Sequence, residues 1–81
     1  MEAEVRESRK ALQAALNIGA QMLSSGAEIS RVEDSIIRMC RAFGAETVEC
    51  FAITYVIVVT ISGENLTELT EIRRINTFDR N

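Results

Sequence analysis

The sequence predicts an α+β fold in which a two-helix hairpin packs on a three-stranded antiparallel sheet, in the order ααβββ. Three observations carry it. Apolar residues recur at helical spacing through the first half of the chain, and isolated glycines at 26 and 44 each close one such stretch. After Gly44 the chain turns rich in Val, Ile and Thr, broken by a turn signal at Ser62-Gly63-Glu64-Asn65.

The first helix is expected from Ala3 to Ser25, where Val5, Leu12, Ala15, Leu16, Gly19, Met22 and Leu23 return at steps of three and four. Glu4, Arg6, Glu7, Arg9, Lys10, Gln13 and Gln21 form its solvated face. Ala11, Ala14, Ala15, Gly19 and Ala20 leave the middle of the helix thin enough for a partner helix to come close. The second helix is expected to begin at Ser30 with a capping box, the Ser30 hydroxyl on the free amides and Glu33 reaching back, with Ile29 as a hydrophobic staple. Val32, Ile36, Met39, Cys40 and Phe43 form its buried stripe; Arg31, Asp34, Arg38 and Arg41 share the other face, where Asp34 and Arg38 are spaced as an i, i+4 pair.

Strands are expected over Thr47–Phe51, Tyr55–Ile61 and Leu66–Ile75, the last two as a hairpin. The third segment is ambiguous, because Leu66, Leu69, Ile72 and Ile75 also fit a helical spacing; Thr67, Thr70 and the β-branched isoleucines decide for a strand. The middle strand is apolar on both faces, since Val56, Ile57, Val58, Val59 and Ile61 run without alternation. Two helices cover one face, so the other calls for a second subunit or a continuation of the chain. Residues 76–81 end without a closing element, and Asp79 could cap a further helix. We therefore expect one soluble domain over residues 1–81, truncated before any transmembrane region.

Composition removes whole function classes. The chain has 81 residues, 47% of them apolar and 26% charged, which fits one small globular domain. A net charge of −3 argues against a phosphate-backbone binder, so nucleic acid is not expected as a partner. No His is present, which removes Ser-His and Cys-His nucleophile pairs and imidazole ligands. The four glycines are isolated from one another, so no phosphate loop exists. Cys40 and Cys50 stand ten positions apart, outside the CxxC spacing of redox and zinc sites. Two reduced thiols are the favoured reading, with a Cys40–Cys50 bridge as the other. The uncharged run from Cys50 to Gly63 is shorter than the roughly 20 residues of a bilayer-spanning helix.

Polar chemistry concentrates at the turn between the helices, in Ser24-Ser25-Gly26-Ala27-Glu28-Ile29-Ser30-Arg31-Val32-Glu33-Asp34. Ser25, Glu28, Arg31, Glu33 and Asp34 are the candidate substrate or interaction residues, joined by Arg73 and Arg74, which a strand places on opposite sheet faces. Capping and ion pairing account for Glu33 and Asp34 structurally, leaving Glu28 least explained. No catalytic residue, cofactor or metal ligand is assigned.

The same cluster resembles a known family. Leu16-Asn17-Ile18-Gly19-Ala20-Gln21-Met22-Leu23, Ser25-Gly26-Ala27-Glu28, Arg31-Val32-Glu33-Asp34, Ala42-Phe43-Gly44-Ala45 and Val48-Glu49-Cys50-Phe51-Ala52 are similar in order and spacing to the N-terminal region of the threonine/serine exporter family, over about residues 12 to 75. Thr70-Glu71-Ile72-Arg73-Arg74 is similar to the family's basic strand, except that Glu71 replaces an expected Arg. The proline often seen between the first two strands is also missing. The resemblance implies a cytoplasmic N-terminal domain followed by a transmembrane bundle, exporting small amino acids or, in split two-subunit relatives, dicarboxylates. Its implied partners are that bundle, a second copy in a homo-oligomer, and threonine or serine as substrate. Two other readings compete: a free-standing homodimeric interaction module, and an acidic hydrolase holding a divalent ion at Glu28, Glu33 and Asp34.

Overall fold

A computed structural model describes residues 2–64 and 66–75. Its elements are α1 (Glu2–Ser24), α2 (Ile29–Ala42), β1 (Thr47–Ile53), β2 (Val56–Gly63) and β3 (Leu66–Arg74). The strands form one antiparallel sheet in the order β1-β2-β3, with β2 central. Helix α2 lies over β1 and α1 over β3, so both helices cover the same face. The fold is the α+β arrangement that the sequence predicts. The readings of residues 76–81, including Asp79 as a cap, lie outside the described residues.

Both helices stop by the same device. Gly26 and Gly44 adopt φ of +94° and +113°, a conformation that costs a residue with a Cβ. At the first stop the Ala27 amide donates to the Met22 carbonyl at 3.0 Å and the Gly26 amide to Leu23 at 3.1 Å; at the second, Ala45 donates to Cys40 and Gly44 to Arg41, both at 3.1 Å. These are paired Schellman closures, which satisfy carbonyls that a helix end otherwise leaves unbonded.

The core is built from Leu12, Ala15 and Leu16 of α1, Val32, Ile36 and Cys40 of α2, and Ile57, Val59 and Ile61 of β2. Burial is complete for most of them. The thin middle of α1 is used at Gly19, where an added Cβ would stand 2.5 Å from Ile36 Cδ1 and 2.9 Å from Ile36 Cγ1. Helix α2 therefore approaches α1 across a glycine, and the space a side chain would take is filled by Ile36.

The start of α2 departs from expectation. The helix begins at Ile29, with Glu28 as its N-cap in an extended conformation (φ −63°, ψ 143°) and no side-chain cap bond. Ser30 is thus already inside the helix, so no capping box and no staple form. Glu33 and Asp34 fall beyond the first turn, which holds no acid. The Glu28 carbonyl accepts the Val32 amide at 3.0 Å, the first bond of the helix. Val32, Ile36 and Cys40, four residues apart, form its buried line. The Glu33 carboxylate that a capping box needs is bonded to the Ala52 amide instead.

The hairpin between β1 and β2 is tighter than the sequence suggests. Ile53 pairs with Val56, leaving only Thr54-Tyr55 as the connection, so β1 extends two residues past Phe51 and β2 begins after Tyr55. Neither turn residue has positive φ, and no glycine or proline marks the reversal. The Ile75 amide closes the end of the sheet on the Tyr55 carbonyl at 2.7 Å.

Register sorts the strands into two faces. Val48, Cys50 and Ala52 share the helix-covered face with Ile57, Val59 and Ile61 and with Leu69, Glu71 and Arg73. Phe51, Val58 and Ile72 stand in one row across the other face, followed by Ile53, Val56 and Arg74. No described element covers that second face: Phe51 and Ile72 are 61% and 62% exposed, while Ile57, Val59 and Ile61 are fully buried.

Candidate functional site

The candidate residues separate into three places. Ser25, Arg73 and Arg74 come together in an open cleft of about 520 Å³ between the last turn of α1 and the end of β3, lined also by Ala20, Gln21, Ser24 and Ile75. Glu28, Arg31 and Asp34 line a second, smaller groove of about 450 Å³ on the outer side of α2, with Ser30, Ser35 and Arg38. Glu33 belongs to neither.

Glu33 reaches the sheet instead. Its Oε2 accepts the Ala52 amide at 2.9 Å. Ala52 lies on β1, an edge strand whose outward amides have no neighbouring strand among the described residues, so this carboxylate satisfies one of them and ties α2 to the sheet. With Glu33 committed there, Glu28, Glu33 and Asp34 do not converge. Among the described residues no group of three His, Cys, Asp or Glu side chains is placed to hold a metal ion.

In the outer groove the expected Asp34–Arg38 pair does not form. Glu28, Arg31, Asp34 and Arg38 are exposed, and among the described residues none has a hydrogen-bond or ion-pair partner. Water competes effectively for such side chains, and an exposed pair of this kind is worth only about 0.3–0.5 kcal/mol.

The seam between α1 and β3 beside the cleft is organised more tightly, by residues that include Arg9 and Gln13 of the expected solvated face. Arg73 Nη1 donates to Asn17 Oδ1 and Arg73 Nη2 to Gln13 Oε1, each at 2.7 Å. Gln13 Nε2 donates in turn to Glu71 Oε1 at 2.9 Å, and Glu71 Oε2 lies 3.5 Å from Arg9 Nε. A chain Arg9–Glu71–Gln13–Arg73–Asn17 thus runs between α1 and β3. Glu71 is neutralised by Arg9, whereas the acceptors on Arg73 are neutral amides. Gln13 and Asn17 are the residues that sequence reasoning missed. The signal was available in β3, where Glu71 and Arg73 alternate with Leu69 and so share its buried face.

Cys40 is buried and Cys50 half-buried, and both are free thiols. Burial pushes each up to about 11; for Cys50 the nearby Glu33 carboxylate and Cys40 add to the effect. Thiols held neutral in this way are poor nucleophiles.

No described helix is long and apolar enough to cross a membrane. No curated protein and no solved structure matches the chain significantly. A family model described as "Putative threonine/serine exporter" matches residues 13–81, a span that takes in the SGAE and RVED segments and both walls of the cleft. On that match over most of its length, this chain belongs to the threonine/serine exporter family.

Proposed function

We propose that this chain is the cytoplasmic, non-enzymatic domain of a secondary transporter that exports threonine, serine or similar small amino acids, acting in assembly, gating or substrate access. The observation that carries the reading is the family match over residues 13–81. Translocation itself needs spans of about 20 apolar residues, and no described helix supplies one. The uncovered sheet face supports the attachment. Its row Phe51–Val58–Ile72, with Ile53 and Val56 beside it, is an apolar surface rimmed by Glu49, Thr60, Thr70 and Arg74, as a face that packs against another protein layer should be. In this reading the layer is the remainder of the transporter.

Two measurements test it. Threonine efflux from cells carrying the complete exporter is lost when residues 13–75 are deleted; undiminished efflux contradicts the proposed role. For sidedness, Lys10, exposed on α1, is replaced by Cys in a full-length protein in which the half-buried Cys50 and the buried Cys40 have been changed to Ala. A membrane-impermeant maleimide labels it in inverted vesicles and not in intact cells. Labelling of intact cells places the domain outside the cytoplasm.

A further inference from the structure

The open face of the sheet carries its charges in a pattern that fits a copy of itself. Three rows of three residues run across it, with Phe51, Val58 and Ile72 as the central row. Two of the nine are charged: Glu49 on β1, in the row on one side, and Arg74 on β3, in the row on the other, so they occupy diagonally opposite corners. Glu68, the next acid on β3, falls at the irregularity between Ile61 and Gly63, outside this block. Glu49 and Arg74 are exposed, and among the described residues neither has a hydrogen-bond or ion-pair partner. Nor can they meet within one chain: two strand spacings of about 4.8 Å and four residues of about 3.3 Å set them roughly 16 Å apart.

We infer that the layer over this face in the assembled exporter is the same face of a second copy, its strands crossed at about 90°, so that Glu49 of each copy meets Arg74 of the other. Symmetry selects this arrangement. A two-fold axis between the sheets, along the diagonal through Ile53, Val58 and Thr70, exchanges the two charged corners. The same axis sets Ile53 and Val58 against their own copies and Phe51 over Val56 of the second copy, so one operation pairs the charges and covers apolar positions. With the strands of the two layers aligned, Glu49 lies over Thr70 or Ile53 and both charges stay unpaired; the other diagonal sets Glu49 against Glu49. Packed sheets stand about 10 Å apart, a gap that a glutamate and an arginine at the rim span together. The block covers about 300 Å², against about 800 Å² per partner in a standard stable interface. The isolated chain should therefore pair weakly, with a dissociation constant on the order of millimolar, whereas copies confined to one membrane gain from their effective concentration. This pairing rests on the exporter reading and names, within the assembled transporter, the part that covers the face.

Disulfide crosslinking in the full-length exporter, with its native cysteines replaced, tests the pairing. Glu49→Cys and Arg74→Cys are too far apart within one copy for a disulfide, which needs Cα atoms within about 7 Å. Combined in one chain and oxidised in the membrane, they should give a covalent dimer, while each alone should stay monomeric. Ile53→Cys, on the axis, should crosslink by itself. Glu49→Arg or Arg74→Glu should slow that Ile53→Cys crosslink about fivefold, and the two reversals together should restore it. All three positions are exposed, so none of these substitutions touches the core. The pairing is overturned if the double cysteine variant stays monomeric, if either single variant at 49 or 74 crosslinks as fast, or if the combined charge reversal fails to restore the Ile53→Cys crosslink. If the double variant stays monomeric while Ile72→Ser still abolishes efflux, the pairing falls and the exporter reading stands. If the dimer forms while deletion of residues 13–75 leaves efflux undiminished, the pairing stands and the exporter reading falls.

Discussion

The two faces of the sheet carry similar side chains and meet opposite fates. On the helix side Ile57, Val59 and Ile61 have no exposed surface, whereas Phe51 and Ile72 on the far side are more than half exposed, although both sets are β-branched or aromatic residues in good strand positions. A strand's own sequence thus states that both faces want cover, but the covering layer is set by other elements. Here the two helices pack from β1 to β3 on one side, and no described element packs on the other. The energetic consequence is unequal, because removing a methyl from a filled space costs both transfer energy and a cavity, and removing one from a solvated surface costs little.

The sharpest way to break this contrast is to truncate each side. Ile36→Ala, at the point where α2 meets Gly19 and Ile57, should cost about 2–5 kcal/mol in urea unfolding. Ile72→Ala on the open face should stay below about 1 kcal/mol in the isolated chain. Comparable losses would mean that the open face is covered. Next in size is Glu33→Ala, which leaves the Ala52 edge amide without its acceptor and should cost about 1–3 kcal/mol, with faster hydrogen exchange at Ala52. Glu33→Gln keeps an acceptor and should cost less. A smaller effect, about 1 kcal/mol, is expected for Gly26→Ala, because φ of +94° strains any residue with a Cβ.

The thiols add a dependence on pH. Cys40 and Cys50 bind their protons more tightly in the folded chain, near 11 against an ordinary 9.0, so above pH 9 the unfolded chain releases protons that the folded one keeps. Stability should therefore be constant below about pH 9 from this source, fall between about 9 and 11, and level off above. Cys40→Ala with Cys50→Ala should flatten that decline, which a series of urea melts across the interval would reveal.

Much of the fold was legible because its signals are local. Helix period, two glycine stops and the change of composition after Gly44 each act within a few residues, and all five elements appear where they indicate. What escaped depends on contacts distant in sequence. Ser30 and Glu33 fit a capping box by spacing, yet the helix starts at Ile29 and the Glu33 carboxylate is taken by the Ala52 amide of β1, a partner 19 residues away. Gln13 read as solvated because only β3, nearly sixty residues later, supplies its partners Glu71 and Arg73. The candidate site was legible as a set of residues and not as a place: Ser25 joins Arg73 and Arg74 only through the packing of α1 on β3, and the charges of RVED divide between an outer groove and the sheet edge.

The claim at the centre of this account is that the open sheet face attaches the domain to the rest of an exporter. Ile72→Ser in the full-length protein tests it directly, with threonine efflux measured beside the stability of the isolated variant chain. The account predicts a chain that folds with stability within about 1 kcal/mol of the parent and an exporter whose efflux is lost. A stable chain with undiminished efflux would contradict it.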